Sequence, residues 1–322
     1  MEHEIPSMNA SVTASSGPIG WLGELGDIAP GAQVGGKAAS LDRLARLGFR
    51  VPPGFCLTTA AFAAHLAAVG ERAPLREAIA ALPAEAARVT VADLVRETPM
   101  PAALSEALRV ALAELTAGGH RSLAVRSSAV GEDGAAASYA GLHDTELGLT
   151  AEDVEPAVRR CWSSLWSSAA IAYRQARSLP FDDAAMAVVV QALVPAEAAA
   201  VVFTRHPVTR REDQLVINAV RGLGEPMVSG AATPDTYVVD KVSHEVHEFS
   251  PGDAGERLFA IDGSVTRDAD PARGAALDAA SLRDLVALTL QVERAFGAAV
   301  DVEAAYAGGQ WYLLQARPIT TP

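Results

Sequence analysis

Two stretches near the C-terminal end, "AVDVEAAY" (299–306) and "QWYLLQARPIT" (310–320), set acidic, amide and guanidinium side chains at alternate positions. If Ala307, Gly308 and Gly309 form a three-residue hairpin loop, Tyr306 pairs with Gln310, Glu303 with Leu313 and Asp301 with Gln315. Side chains alternate across a strand, so Asp301, Glu303, Gln315 and Arg317 share one face, while Val302, Leu314 and Ala316 share the other. Two carboxylates, an amide oxygen and a guanidinium suit a phosphate-bound divalent ion. The hard oxygens serve an ion of the Mg2+ kind, and the guanidinium serves phosphate oxygens. The same pattern also fits the solvent face of an edge hairpin with a cross-strand ion pair.

A second stretch, "AVRSSAVGEDGAAASYAGLHDT" (124–145), raises a similar choice. Ser127, Ser128, Gly131, Gly134, Ser138 and Gly141 let backbone amides approach a polyphosphate, and Arg126 adds fixed charge. The spacing is not that of a GxxxxGK[ST] loop, and a flexible surface loop has the same composition. Lys37, in "VGGKAASL", stands at a helix start after two glycines, where the helix dipole also favours an anion. In "GLGEPMVSG", Gly222 and Gly224 bracket a turn from which Glu225 is within reach of a site, although G-x-G is common in ordinary turns.

These residues need a scaffold, and the 322-residue length predicts two lobes or domains. Half of the residues are hydrophobic and 20% are charged, which is globular composition. A formal net charge of -13 argues against a general nucleic-acid binder, so any bound anion must be met locally. Cys56 and Cys161 are the only cysteines and have no metal-type spacing, which together with the absence of a signal peptide predicts a cytoplasmic protein. No apolar window reaches the length of a membrane span.

Residues 1–18 read as a tail. A helix is expected from about Ala38 to Leu47, followed by helical patterns at 60–69, 75–81, 91–97 and 102–117. "SLAVRSS" begins a strand, a helix runs from about Glu152 to Ala176, and "AMAVVVQALV" reads as a strand buried on both faces. The second half changes to short β-type runs, an acidic linker to about Ala280, and a helix from Leu282 to Phe296 with Ser281 as N-cap. The division therefore falls near Gln191–Pro195, with a helix-rich lobe at 19–190 and a sheet-rich lobe at 191–322.

Five spaced motifs, in order, carry a resemblance: "GGKAASLDRLARLGFRVPPGFCLTTAAF", "LAVRSSAVGEDGAAASYAGLHDT", "MAVVVQALVPAEAAAVVFTRHPVT", "GLGEPMVSGAATPDTYVVD" and "DVEAAYAGGQWYLLQARPIT". Together they closely resemble the ATP-binding domain of the phosphoenolpyruvate synthase and pyruvate phosphate dikinase family, which includes rifampicin phosphotransferase, over about residues 19–320. The resemblance implies an α+β ATP-grasp fold whose two lobes close on ATP. It further implies that Lys37, Arg126 and Arg317 act at the ATP phosphates, with Ser138, Ala140, Gly141 and Thr145 covering them. Gln191, Leu193 and Val194 would lie beside adenine, and Glu303 and Gln315 would hold Mg2+ with Asp301 nearby.

Departures from the family pattern include Arg205 and His206 in "FTRHPVT", where a smaller polar pair is common, and Leu142-His143 after the loop glycine. Full-length members pass phosphate from ATP to a histidine on a swivelling domain and then to an acceptor, whereas this chain ends at "RPITTP". The resemblance thus implies an ATP-dependent phosphotransferase subunit that uses a separate phosphohistidine protein and a small-molecule acceptor, with neither nucleic acid nor membrane as partner. A self-sufficient ADP-forming kinase or ligase, and a non-catalytic nucleotide-binding subunit, are the competing readings.

Overall fold

The computed structural model describes residues 17–26, 33–72, 75–82, 84–130, 145–180, 185–253, 256–261, 264–269 and 274–319. Strand β1 (Ile19–Trp21) leads to helix α1 (Gly35–Arg46) and β2 (Gly54–Leu57). Helices α2 (Thr59–Arg72), α3 (Leu75–Ala80), α4 (Glu85–Glu97) and α5 (Ala102–Ala117) follow. Next come β3 (Leu123–Ala129), β4 (Thr145–Leu149), α6 (Ala151–Ser163), α7 (Ser168–Ala176) and β5 (Met186–Ala192). The remaining chain forms β6 (Ala198–Phe203), β7 (Gln214–Arg221), the short α8 (Glu225–Val228), β8 (Asp235–Asp240) and β9 (Val246–Ser250). It closes with β10 (Glu256–Ile261), β11 (Ser264–Ala269), α9 (Ala279–Phe296), β12 (Val300–Ala307) and β13 (Gln310–Pro318).

The strands form two main sheets, one ordered β1-β2-β5-β3-β4 and the other β13-β12-β6-β7-β8-β9, with β10-β11 a separate hairpin. Neighbouring strands pair antiparallel throughout. Central β5 is buried at every position because both of its faces are covered. Met186, Val188 and Val190 join a core with Trp162, Trp166 and Phe62, while Ala187 and Val189 pack with Ala38 and Leu41 of α1. Leu44, one turn further along α1, joins the core that α9 builds against the second sheet. The apolar stripe of α1 is thus divided between the two sheets, which lets one helix hold both.

Several elements differ from expectation, among them α1 and α4, which start at Gly35 and Glu85, ahead of the expected Ala38 and Val91. The helix expected over Glu152–Ala176 breaks at a 3-10 turn, Ser164–Trp166, after which the Ser167 hydroxyl accepts from Ala170 N and starts α7. Ser163 and Ser164 donate back to the carbonyls of Arg160 and Cys161, an alternative to the helix ladder that serine offers locally. The supposed acidic linker contains the β10–β11 hairpin. Helix α9 starts earlier, because Asp278 and not Ser281 is its N-cap: the carboxylate accepts from Ala280 N at 3.0 Å and Ser281 N at 2.7 Å.

Candidate functional site

The C-terminal hairpin turns through Gly308 and Gly309 alone, both at positive φ (57° and 75°), with Ala307 paired to Gln310. This is the two-residue geometry that glycine pairs favour, so the expected three-residue loop is corrected. Carried through unchanged, that register would set Glu303 and Asp301 opposite the apolar Leu314 and Ala316. A bulge prevents it: Ala304 pairs with Leu313, but Glu303 pairs with Gln315 and Asp301 with Arg317. The polar pairs are thus displaced by two residues from the expected register, and two is the strand period. Asp301, Glu303, Gln315 and Arg317 accordingly still share a face. Leu314 does not stay with Val302 and Ala316, which lie in the second-sheet core. It is the bulged residue and packs instead against the cluster that contains Val194, Ala305 and Ala307.

The bulge also frees a backbone acceptor. Arg126, from β3 of the first sheet, donates through Nη1 to Leu314 O at 2.7 Å and through Nη2 to Glu303 Oε2 at 2.9 Å. One guanidinium therefore ties the two sheets together at the polar face. Lys37 is buried in the first turn of α1, and its Nζ donates to Ser127 O at 2.8 Å. The start of α1 is pressed against β3 so closely that a Cβ on Gly35, at φ +70°, would sit 2.0 Å from Ser128 O. Val34 at the N-cap has no side-chain acceptor, and the Ser128 hydroxyl substitutes for one by accepting from Ala38 N at 3.0 Å and donating to Val34 O at 2.7 Å. At its other side α1 reaches the second sheet, where the Ser40 hydroxyl donates to Ala316 O. Lys37 is thereby carried by a helix anchored at both sheets.

Asp301, only 12% exposed at its side chain, accepts from Arg317 Nε at 2.9 Å and lies 2.8 Å from Arg317 Nη2. Burial raises its carboxyl above the ordinary carboxylate range, against the opposing pull of the Arg317 guanidinium. The folded state therefore holds the proton more tightly than the unfolded chain. The associated stability is present at acid pH and is lost as pH rises through the raised value. Asp301→Asn is accordingly expected to melt at the same or a higher temperature than the parent at pH 7 without nucleotide, and thermal melts across pH 4–8 check this.

The polar face offers two carboxylates and an amide. Among the described residues, no group of three or more His, Cys, Asp and Glu side chains is arranged to hold a metal. Such a donor set fits an ion that takes most of its ligands from water and phosphate, which is how Mg2+ is usually bound. Beyond this end the face becomes apolar. Val194, Ala196, Leu223, Leu258, Ala305 and Ala307 are buried in one cluster, and Leu147, Leu193, Val265, Tyr312 and Leu314 lie half-buried against it. A polar, charge-paired end beside a half-exposed apolar end can take a ligand that is anionic at one end and aromatic at the other.

The structure brings Arg126, Glu303, Gln315, Asp301 and Arg317 together, and it places Lys37 on the neighbouring residue Ser127. Thr145 opens β4 opposite Arg126. Leu193 and Val194 reach the apolar end, whereas Gln191 is buried within the first sheet with its Nε2 donating to Pro52 O at 3.0 Å. Ser138, Ala140, Gly141 and His143 lie outside the described residues. Glu225 heads the short helix α8. Sequence reasoning missed the carbonyl of Leu314 and the apolar set Leu147, Leu223, Leu258 and Val265. The carbonyl had a signal: a Gly-Gly turn of two residues conflicts with the polar alternation unless a bulge intervenes.

The chain matches the family described as "Pyruvate phosphate dikinase, AMP/ATP-binding domain" over residues 31–322. It is 37% identical to a "Probable phosphoenolpyruvate synthase" of Methanocaldococcus jannaschii, covering 94% of this chain and 27% of that protein. It is also 37% identical to the prodigiosin synthesizing transferase PigC of Serratia marcescens, covering 90% of this chain and 32% of that protein. A rifampicin phosphotransferase of a Streptomyces species is 36% identical, with 92% and 35% covered. The chain thus spans about a third of the length of these relatives. None of its described helices is long and apolar enough to cross a membrane. With a family match over residues 31–322 and relatives 36–37% identical across about nine-tenths of the chain, this chain belongs to the AMP/ATP-binding domain family of pyruvate phosphate dikinase.

Proposed function

We propose that this chain binds Mg-ATP between its two sheets, with residues 19–190 and 191–322 acting as ATP-grasp lobes that close on the nucleotide. It would serve as the ATP-binding part of a phosphotransferase whose phosphate passes to a histidine on a partner polypeptide and then to a small-molecule acceptor. The observation that carries this reading is Arg126, which crosses from the first sheet to Glu303 and Leu314 O on the second. A phosphate chain lying along the polar face meets cationic side chains from both sheets.

In this reading Lys37, Arg126 and Arg317 bind phosphate oxygens, and Ser138, Ala140, Gly141 and Thr145 cover them. Glu303 and Gln315 hold Mg2+, with Asp301 beside them, and the bound ion neutralises phosphate charge. Adenine takes the apolar end beside Leu193 and Val194, while Gln191 fixes the end of β5 that delivers both. Phosphoryl transfer requires little covalent chemistry from the protein, so positioning and fixed positive charge supply most of the rate. Names such as phosphoenolpyruvate synthase and rifampicin phosphotransferase among the relatives support ATP-dependent phosphotransfer as the reaction class.

The test is to incubate the purified chain with Mg-ATP and resolve the nucleotides, with and without histidine-bearing polypeptides encoded beside its gene. AMP formed only in the presence of such a polypeptide is the expected result. ADP formed with a small acceptor alone replaces this reading with a direct kinase or ligase. Tight ATP binding with no turnover under any condition leaves a nucleotide-binding subunit.

A further inference from the structure

The apolar end of the site includes two residues, Leu258 and Val265, from the β10–β11 hairpin, which belongs to neither main sheet. Val265 pairs with Ala260, two positions from Leu258, so Leu258 and Val265 lie on one face of the hairpin. That face meets both sheets. On the first, Gly148 of β4 is at φ +75°, and a Cβ there would lie 2.6 Å from Val265 Cγ2. On the second, Gly222 after β7 is at φ +76°, and a Cβ there would lie 2.1 Å from Leu258 O. Leu223 N donates to that same carbonyl at 2.7 Å. Both seats need glycine twice over, for the backbone conformation and for the close approach.

The two roots of the hairpin are tied to each other as well. Asp235, buried at the start of β8, accepts from Gly252 N at 2.7 Å through Oδ1 and from Ala276 N at 2.5 Å through Oδ2. One carboxylate therefore gathers the chain as it leaves for the hairpin and as it returns. Arg221 Nη2 adds a second tie on the return side, donating to Gly274 O and to Ala275 O at 2.9 Å. Gly252 is itself packed tightly, since a Cβ there would lie 2.2 Å from Thr233 O. Residues 221–237 comprise Arg221 and the "GLGEPMVSGAATPDTY" motif, none of which is among the polar-face residues described above. Arg221, Gly222 and Asp235 hold the hairpin in place.

We propose that the β10–β11 hairpin is the base-side arm of the nucleotide site, and that Arg221, Gly222 and Asp235 are the positioning residues that seat it. The proposal rests on the reading that the chain binds ATP with its base at the apolar end. The arm does not approach the phosphates, so its loss weakens recognition of the base and leaves recognition of the phosphate chain intact. Because the hairpin touches both sheets, occupancy of the site also holds it against amide exchange.

Calorimetry on the full chain with two probes, Mg-ATP and inorganic Mg-tripolyphosphate, separates these ends. Asp235→Ala releases the roots. Val265→Ala is a milder variant on the half-buried arm face, and its melting curve controls for unfolding. Each is expected to raise the Kd for ATP by about tenfold, the equivalent of one lost buried apolar contact. The Kd for tripolyphosphate should stay within about twofold in the same variants. Hydrogen exchange over residues 256–269 should slow on ATP addition in the parent and not in Asp235→Ala. Equal weakening of both probes, or no weakening of ATP in Val265→Ala, overturns the arm. A parent chain that binds tripolyphosphate but gains nothing from the adenosine moiety overturns the base-end reading itself.

Discussion

Replacing Glu303 by alanine is expected to lower ATP-dependent turnover by about a thousandfold or more, while the ligand-free chain keeps its fold. Glu303 stands directly across the hairpin from Gln315, and its carboxylate also receives Arg126. In the proposed reading the substitution removes an oxygen ligand for the ion and one of the two partners of the Arg126 guanidinium at the phosphate end. The fold survives because the side chain lies on the polar face and is 27% exposed, not in either core. Arg126 keeps its bond to Leu314 O. Glu303→Gln sharpens the result: it preserves shape and a hydrogen bond to Arg126 but removes the charge, and it should recover little of the activity. Measured kcat and KM at saturating Mg2+, with thermal melts alongside, check both variants. Near-parental turnover in a Glu303→Ala, Gln315→Ala double variant would remove the assignment of this pair.

Arg126→Ala should weaken ATP binding by about 1.5–3 kcal/mol, or roughly tenfold to a hundredfold in Kd, the range for a charge-assisted phosphate contact. Its consequence extends past the phosphates. The side chain is 13% exposed and joins β3 to the bulge in β13, so its loss leaves Leu314 O without that donor and Glu303 without its cation. Arg126→Lys should recover only part of the affinity, because a single ammonium cannot reproduce the planar fork that reaches a carbonyl and a carboxylate at once. Calorimetric affinity for Mg-ATP in the three proteins tests this. Unchanged affinity in Arg126→Ala would place the phosphates elsewhere.

Much of the scaffold was legible in local pattern. The helix at 102–117, the all-buried strand at 186–192 and the polar alternation of the last two strands follow from hydrophobic period and side-chain alternation, which are properties of neighbouring residues. The misreadings have local causes that competed. Serines at 163, 164 and 167 interrupt an otherwise continuous helical stripe, and Asp278 outcompetes Ser281 for the α9 cap because a carboxylate accepts more strongly than a hydroxyl. The β10–β11 hairpin was hidden because it packs against β4 and β7, and neither is near it in sequence.

The residues able to handle a phosphate-bound ion, and the strands that carry them, were determined by the sequence alone. Alternation has period two, and any even displacement of register preserves the shared face of Asp301, Glu303, Gln315 and Arg317. Only the tertiary structure decided which even displacement occurs, through the two-residue Gly308-Gly309 turn and the compensating bulge at Leu314. It also decided what the bulge is for. Its carbonyl and the carboxylate of Glu303 meet Arg126, 188 and 177 residues away along the chain. Contacts of that separation follow from how two sheets pack around a shared helix, and no local pattern in the chain encodes the distance between them.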